Sequence, residues 1–89
     1  RDVAEAQSAL AGWQPLQTAA EHAARYLQRA QRAYELGETG LAELLMSVSS
    51  CAETLYEERL ARLDAHEALA RLSVDAHELW APAHEEHDH

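Results

Sequence analysis

At 89 residues the chain is long enough for one domain at most, and richness in Ala, Glu, Leu and Arg with three glycines, two prolines and no phenylalanine predicts helix nearly throughout. The formal charge of −9 and the lack of a basic stripe with interleaved aromatics argue against a nucleic-acid partner, because an acidic surface repels phosphate. No nucleophile, base and orienting acid are arranged for catalysis, no glycine loop cradles a phosphate, and Ser47, Ser49 and Ser50 read as helix-face serines, so a non-enzymatic protein is expected.

No run of about 18 apolar residues is present for a membrane span, and no signal peptide is seen. The chain opens on Arg1, as a processed or excised piece of a longer protein would. Charge is uneven. Residues 1–40 carry four arginines against five acids, a net of −1; residues 41–89 carry three against eleven, a net of −8. Such a surface suits cations or a lining past which cations move, a solvated acidic face being the plainer reading. All basic residues are arginine, for which no functional reason is found.

Residues 1–37 read as the first helix, with a kink or short break expected near Trp13 to Leu16, because Pro15 cannot donate a hydrogen bond and its ring crowds the preceding turn. Ala6, Ala9, Trp13, Leu16, Ala20, Ala23, Leu27, Ala30 and Tyr34 follow alternating steps of three and four, the seam of a coiled coil. Alanine at most of these positions predicts close helix approach.

Residues 38–40 read as a tight turn. Gly37 is the natural residue for the left-handed position past a helix end, and Leu36 beside it is placed to fold back on the last turn. Thr39 is the expected cap of the next helix, with Glu43 in its first turns where the helix dipole favours a carboxylate. Thr39 and Glu43 are one residue too far apart for a capping box, and Gly40 weakens the first turn.

The second helix is predicted over 41–80, which at about 1.5 Å per residue spans roughly 60 Å. Leu41, Leu45, Val48, Ala52 and Leu55 form one seam, which breaks at Arg59 and Arg62; Leu60 and Leu63 carry on beside it, and Ala65, Leu69, Leu72, Ala76 and Leu79 form a later one. A stripe that shifts in this way wraps around its helix and implies more than one neighbour. Two helices alone offer one narrow contact, which at about 25 cal/mol per Å² struggles against ordering costs of about 1–2 kcal/mol per residue. The fold class expected is therefore all-α, a long antiparallel, coiled-coil-like helical hairpin that is not stable as a monomer.

Pro82 is expected to stop the helix and leave residues 81–89 as a disordered acidic tail. There His84, His87 and His89 among Glu85, Glu86 and Asp88 offer imidazole and carboxylate ligands for zinc, nickel, cobalt or copper, although nothing elsewhere completes a tetrahedral set. A solvated end is the plainer reading, a loosely held divalent metal the other, with His77 able to assist only if the tail folds back. His22 and His66 lack a second histidine at helical spacing and read as surface or interhelix residues; Cys51 is alone and reads as a small helix-face residue. Glu21 with Arg25, Glu58 with Arg62 and Glu67 with Arg71 are i,i+4 pairs, and Arg25 with Glu53 is an expected cross-helix pair.

Around the turn, Tyr34, Gly37, Leu41, Glu43, Leu44 and Leu45 resemble the periplasmic helix-turn-helix of the TolC-like outer membrane efflux family, nearest its heavy-metal, CzcC-like branch, with looser similarity from Leu16 to Trp80. The resemblance implies the C-terminal hairpin of a trimeric channel component in a Gram-negative bacterium. Such hairpins line up as a periplasmic α-barrel, a passive exit duct for heavy-metal cations that docks on a periplasmic adaptor and a resistance-nodulation-division pump of the inner membrane. It places Tyr34, Gly37, Glu38, Thr39, Gly40 and Leu41 at the adaptor-facing or duct-closing tip, with Glu43 just behind; a well-formed turn and nothing more is the competing reading. The family often carries a basic residue two places after the glycine and an acid at the end of the leucine run, where this chain has Thr39 and Met46, which puts a salt-bridge gate in doubt.

Three functional classes follow: a segment of an efflux duct, a periplasmic acidic helical metal-binding or sensor protein using the histidine tail, and a structural coiled-coil interaction module. Removal of residues 81–89 should disable the sensor, whereas substitutions at Gly37 and Leu41 should disable the duct. By itself the chain is expected to self-associate.

Overall fold

The computed structural model describes the backbone of residues 2–88 and the side chains of residues 2–79. Helix α1 (Asp2–Glu35) and helix α2 (Leu41–Asp88) form an antiparallel hairpin, as cross-helix contacts from Trp13 to Glu58 and from Glu5 to Arg71 require. The molecule measures 73 × 23 × 15 Å, and its radius of gyration of 21.1 Å compares with about 12 Å for a compact chain of this length. It is a rod with one seam and no central core. Among the described residues, no helix is long and apolar enough to cross a membrane.

Helix α1 has Asp2 and Glu5 in its first turn and Arg32 in its last, the arrangement the helix dipole favours. It runs unbroken through Pro15, so the break allowed for there is absent. Proline forfeits only its own bond to the carbonyl of Ala11, and the half-buried Ala9, Trp13, Leu16 and Ala20 hold the helix against α2 on both sides of that gap. The α1 seam is the expected one from Ala6 to Ala30; Tyr34, at its end, is exposed.

Gly37 closes α1 with φ = +77°, a left-handed conformation that costs a residue with a Cβ. Its N–H bonds the Tyr34 carbonyl at 3.0 Å and the Glu38 N–H bonds the Ala33 carbonyl at 2.9 Å, which together make a Schellman cap. Leu36 does not cover the last turn; it is 64% exposed. The cap of α2 is Gly40 and not Thr39, because the Gly40 carbonyl accepts the first helical bond from the Leu44 N–H at 3.2 Å. Glu43 thereby falls at the third helical position, and the cap residue has no side chain to give.

The second helix differs most from expectation. The residues that meet α1 are Leu44, Ser47, Cys51, Thr54, Glu58, Ala61, Ala65, Ala68, Leu72 and Asp75, all buried or half-buried at alternating steps of three and four. Of the first expected seam Leu41, Leu45, Val48 and Ala52 are exposed and Leu55 is half-buried; of the later one Ala65 and Leu72 do meet α1, while Leu69, Ala76 and Leu79 are exposed. The contact face is small because α1 presents mainly alanine: close approach leaves no space for leucine on both sides, and Ala65, 0% exposed, marks the tightest point. Helix α2 also continues to Asp88, past Pro82, where a stop after Trp80 and a disordered tail were expected; as at Pro15, one missing donor does not end the helix.

Candidate functional site

Polar residues in the α1–α2 seam are satisfied within the hairpin. Ser47 Oγ donates to the Glu43 carbonyl at 3.1 Å and Thr54 Oγ1 to the Ser50 carbonyl at 3.2 Å, so both hydroxyls turn back onto their own helix. Glu58 is the one buried acid among the described residues, and it sits on the α1-facing row. Trp13 Nε1 donates to its Oε2 at 2.8 Å; Arg62 donates through Nε to Oε2 at 3.0 Å and through Nη2 to Oε1 at 2.6 Å. The fork from Arg62 and the indole bond hold the Glu58 carboxyl below the usual carboxylate range against the opposing effect of burial, and Glu58 in turn raises the Arg62 guanidinium. His66 meets the Trp13 ring edge-on at 6.0 Å.

No polar atom among the described buried side chains lacks a partner. The cluster's chemistry is positional: a charged group in an otherwise small-residue seam can be satisfied in one register only, which fixes how far α1 and α2 slide. Sequence reading had Glu58 and Arg62 as a helix-surface pair and Trp13 as a seam residue without a partner. The signal available was the heptad position of Glu58, hidden because the seam of α2 had been placed on another face.

The tip residues are brought together as the turn. Tyr34, Gly37, Glu38, Gly40, Leu41 and Glu43 are exposed and Thr39 is half-buried, so this end presents Tyr34, Leu36 and Leu41 outward beside Glu35, Glu38 and Glu43. Behind it, a groove of about 590 Å³ is lined by Tyr26, Arg29, Thr39, Glu43, Met46 and Ser47 among others. A second, of about 690 Å³, lies where Ala9, Gly12, Ala61 and Ala68 leave space beneath Glu5, Asp64 and Arg71. Both are open troughs along the seam.

Expected ion pairs are realised selectively. Arg62 pairs with Glu58, and Arg71 with Glu67 and, across the seam at 3.8 Å, with Glu5. Neither Glu21 with Arg25 nor Arg25 with Glu53 is among the ion pairs of the described residues; Arg25 and Glu53 are exposed on the outer sides of their helices. Cys51 is a free thiol buried in the seam. Among the described residues no group of three or more His, Cys, Asp or Glu side chains could hold a metal ion, and His22, His66 and His77 are all exposed. The tail ligands expected at His84, Glu85, Glu86, His87, Asp88 and His89 lie outside the described side chains.

The feature sequence reading underweighted is the outer surface of α2. On the side away from α1, Ala42, Met46, Ser49, Glu53, Tyr56, Leu60, Leu63, Glu67, Ala70, Val74 and His77 recur at steps of four and three and are all exposed, Met46 at 72%, Tyr56 at 64% and Leu63 at 66%. Along the flank run Leu41, Leu45, Val48 and Ala52. The outer side of α1 carries instead Gln7, Gln14, Thr18, Glu21, Arg25, Gln28 and Arg32. The outer side of α1 is thus mainly polar, whereas that of α2 exposes large apolar side chains between its polar ones. Comparison with protein-family models, with curated proteins and with solved structures finds no match to this chain.

Proposed function

We propose that this hairpin is an assembly element, and that the assembly is the periplasmic duct of a TolC-like efflux protein of the heavy-metal branch. The observation that carries the reading is the second heptad row on α2, from Ala42 to His77, exposed where a neighbouring helix would lie. A compact protein of 9.9 kDa exposes about 5,200 Å², whereas this chain exposes 7085 Å². The excess, about 1,900 Å² on one chain, is more than twice the roughly 800 Å² that one partner contributes to a standard interface, enough for neighbours on more than one side. The resemblance around Tyr34, Gly37, Leu41 and Glu43 supplies the identity of that assembly: a three-chain barrel of hairpins that passes cations outward, its tip meeting a periplasmic adaptor on a resistance-nodulation-division pump. Glu43, Glu57, Asp64 and Glu78 share one flank of α2 with Ser50 and Arg71 and leave it net acidic, which suits a path for cations.

The test is metal tolerance in cells lacking the full-length parent gene, complemented by wild type, by Gly37→Leu and by a chain ending at Pro82. Zinc, cobalt, cadmium, nickel and copper sensitivity rescued by wild type and by the truncated chain, but not by Gly37→Leu, is the expected result. Full tolerance without the gene would sink the transport reading; loss of rescue on truncation alone would move the function to the histidine tail.

A further inference from the structure

We infer that residues 2–12 of α1 form an arm that swings off α2 as one unit about a hinge at Gly12 to Pro15, with the Trp13–Glu58 contact as the latch that holds it shut. The inference concerns motion within the hairpin and does not depend on the transport reading.

Two residues within one turn of each other weaken α1 at that point. Pro15 has no N–H, so the Ala11 carbonyl loses its helical donor, and the proline ring crowds the same turn. Gly12 is the weakest helix former after proline, and nothing lies within 4 Å of the position its Cβ would take. Bends in helices gather at residues of these types.

On the two sides of the hinge α1 is held unequally. Beyond Pro15 the seam includes Leu16 and Leu27 among its alanines, and the turn at Gly37 ties that part to α2 through the chain itself. Before it, the apolar residues that are buried or half-buried are Ala6, Ala9 and Leu10. Arg71 reaches Glu5 from α2 at 3.8 Å with both side chains about half exposed, a kind of pair that adds little. The trough of about 690 Å³ runs along this same stretch, bordered on α1 by Ala4, Glu5, Ser8, Ala9 and Gly12, so much of the arm's flank has no neighbour to lose on opening.

What closes the arm is Trp13, which sits on the hinge. Its Nε1 donates to Glu58 at 2.8 Å, and His66 meets its ring edge at 6.0 Å. Arg62 grips Glu58 from within α2, so the acceptor stays fixed while the donor moves with α1. Opening parts that bond and uncovers Ala65 and Ala68 of α2, leaving residues 17–35 seated, a local event well below global unfolding.

Native-state hydrogen exchange on the full chain, read amide by amide by NMR at one fixed concentration, tests the hinge. Amides of residues 6–12 should exchange together and faster than those of 17–34. Trp13→Phe should speed the arm by roughly tenfold or more, the effect of losing a hydrogen bond to a charged group, and leave 17–34 unchanged. Pro15→Ala should slow the arm towards the rate of 17–34. Rates that grade off smoothly along 6–12 and ignore both substitutions are plain fraying of a helix end and would overturn the hinge, as would one shared rate for all of α1. Should Trp13→Phe lose its helix, alkylation of an Ala68→Cys chain decides, with the native Cys51 thiol, buried opposite the part of α1 beyond Pro15, as internal control. The thiol at position 68 should react first and slow when Pro15→Ala is added; equal rates for the two thiols would overturn the inference.

Discussion

L-Alanine and D-alanine at Gly37 should have opposite effects, and the difference isolates a backbone term. Nothing lies within 4 Å of the position a Cβ would occupy there, so substitution meets no steric neighbour. What remains is φ = +77°. An L-residue held in the left-handed region costs roughly 1–2 kcal/mol, and the stiffening of the unfolded chain returns about 0.4–1 kcal/mol of it. Gly37→Ala should therefore destabilise by up to about 1.6 kcal/mol, with a middle value of about 0.8, a fall of a few degrees in the melting midpoint at roughly 4–8 °C per kcal/mol for a chain of this size. D-Alanine prefers positive φ, keeps the unfolded-state benefit, and should raise the midpoint. Thermal melts followed by circular dichroism measure both, at one fixed protein concentration because self-association shifts the midpoint by mass action. Equal losses from the two alanines would show that the turn is held by contacts and not by its left-handed residue.

Gly12 lies inside α1 with open space where a Cβ would be, so Gly12→Ala should add about 0.8–1.0 kcal/mol by helix propensity alone, read as a raised midpoint. Ala65, with no exposed surface at the tightest point of the seam, should lose about 1–3 kcal/mol on replacement by leucine, in a denaturant titration. Glu58 has a folded pKa below its unfolded value, so its contribution is present above the unfolded pKa and is lost as pH falls through the folded one. A carboxyl NMR titration should place its midpoint below the ordinary value; Arg62→Gln should return it furthest and Trp13→Phe less, and Glu58→Gln should flatten the acid limb of stability against pH.

How much of this was legible in sequence differs between the two helices. The α1 seam stood out because its only tryptophan and most of its leucines fall on that one row, while the opposite side is mainly glutamine, arginine, glutamate and threonine. Gly37 was legible for the same kind of reason: few residue types tolerate the conformation it adopts. Helix α2 carries apolar residues on several faces, and the rows richest in leucine were taken for the seam, whereas α1 selects a face of Ser47, Cys51, Thr54, Glu58, Ala61, Ala65 and Ala68. Two facts decide this, and neither is a property of α2 alone. Alanine on α1 demands small partners, and the indole N–H of Trp13 demands an acceptor, which Glu58 provides at 2.8 Å. The leucine-rich rows of α2 are thus left uncovered by α1, which meets the row of small residues instead. Of the candidate site, the tip was legible as a turn, while the Trp13–Glu58–Arg62 cluster was not, since it needs two helices in register to exist.

The proposal that a neighbour covers the outer row of α2 and leaves α1 in water is tested most directly by cysteine alkylation in the Cys51→Ala background. Leu63→Cys and Leu60→Cys report on the outer row of α2, Gln14→Cys and Gln28→Cys on the outer side of α1. The α2 cysteines should be protected at micromolar concentration and lose that protection on dilution, with the α1 cysteines reacting quickly throughout. Equal, fast alkylation at all four positions and at every concentration would show that the hairpin is complete by itself and would contradict the account.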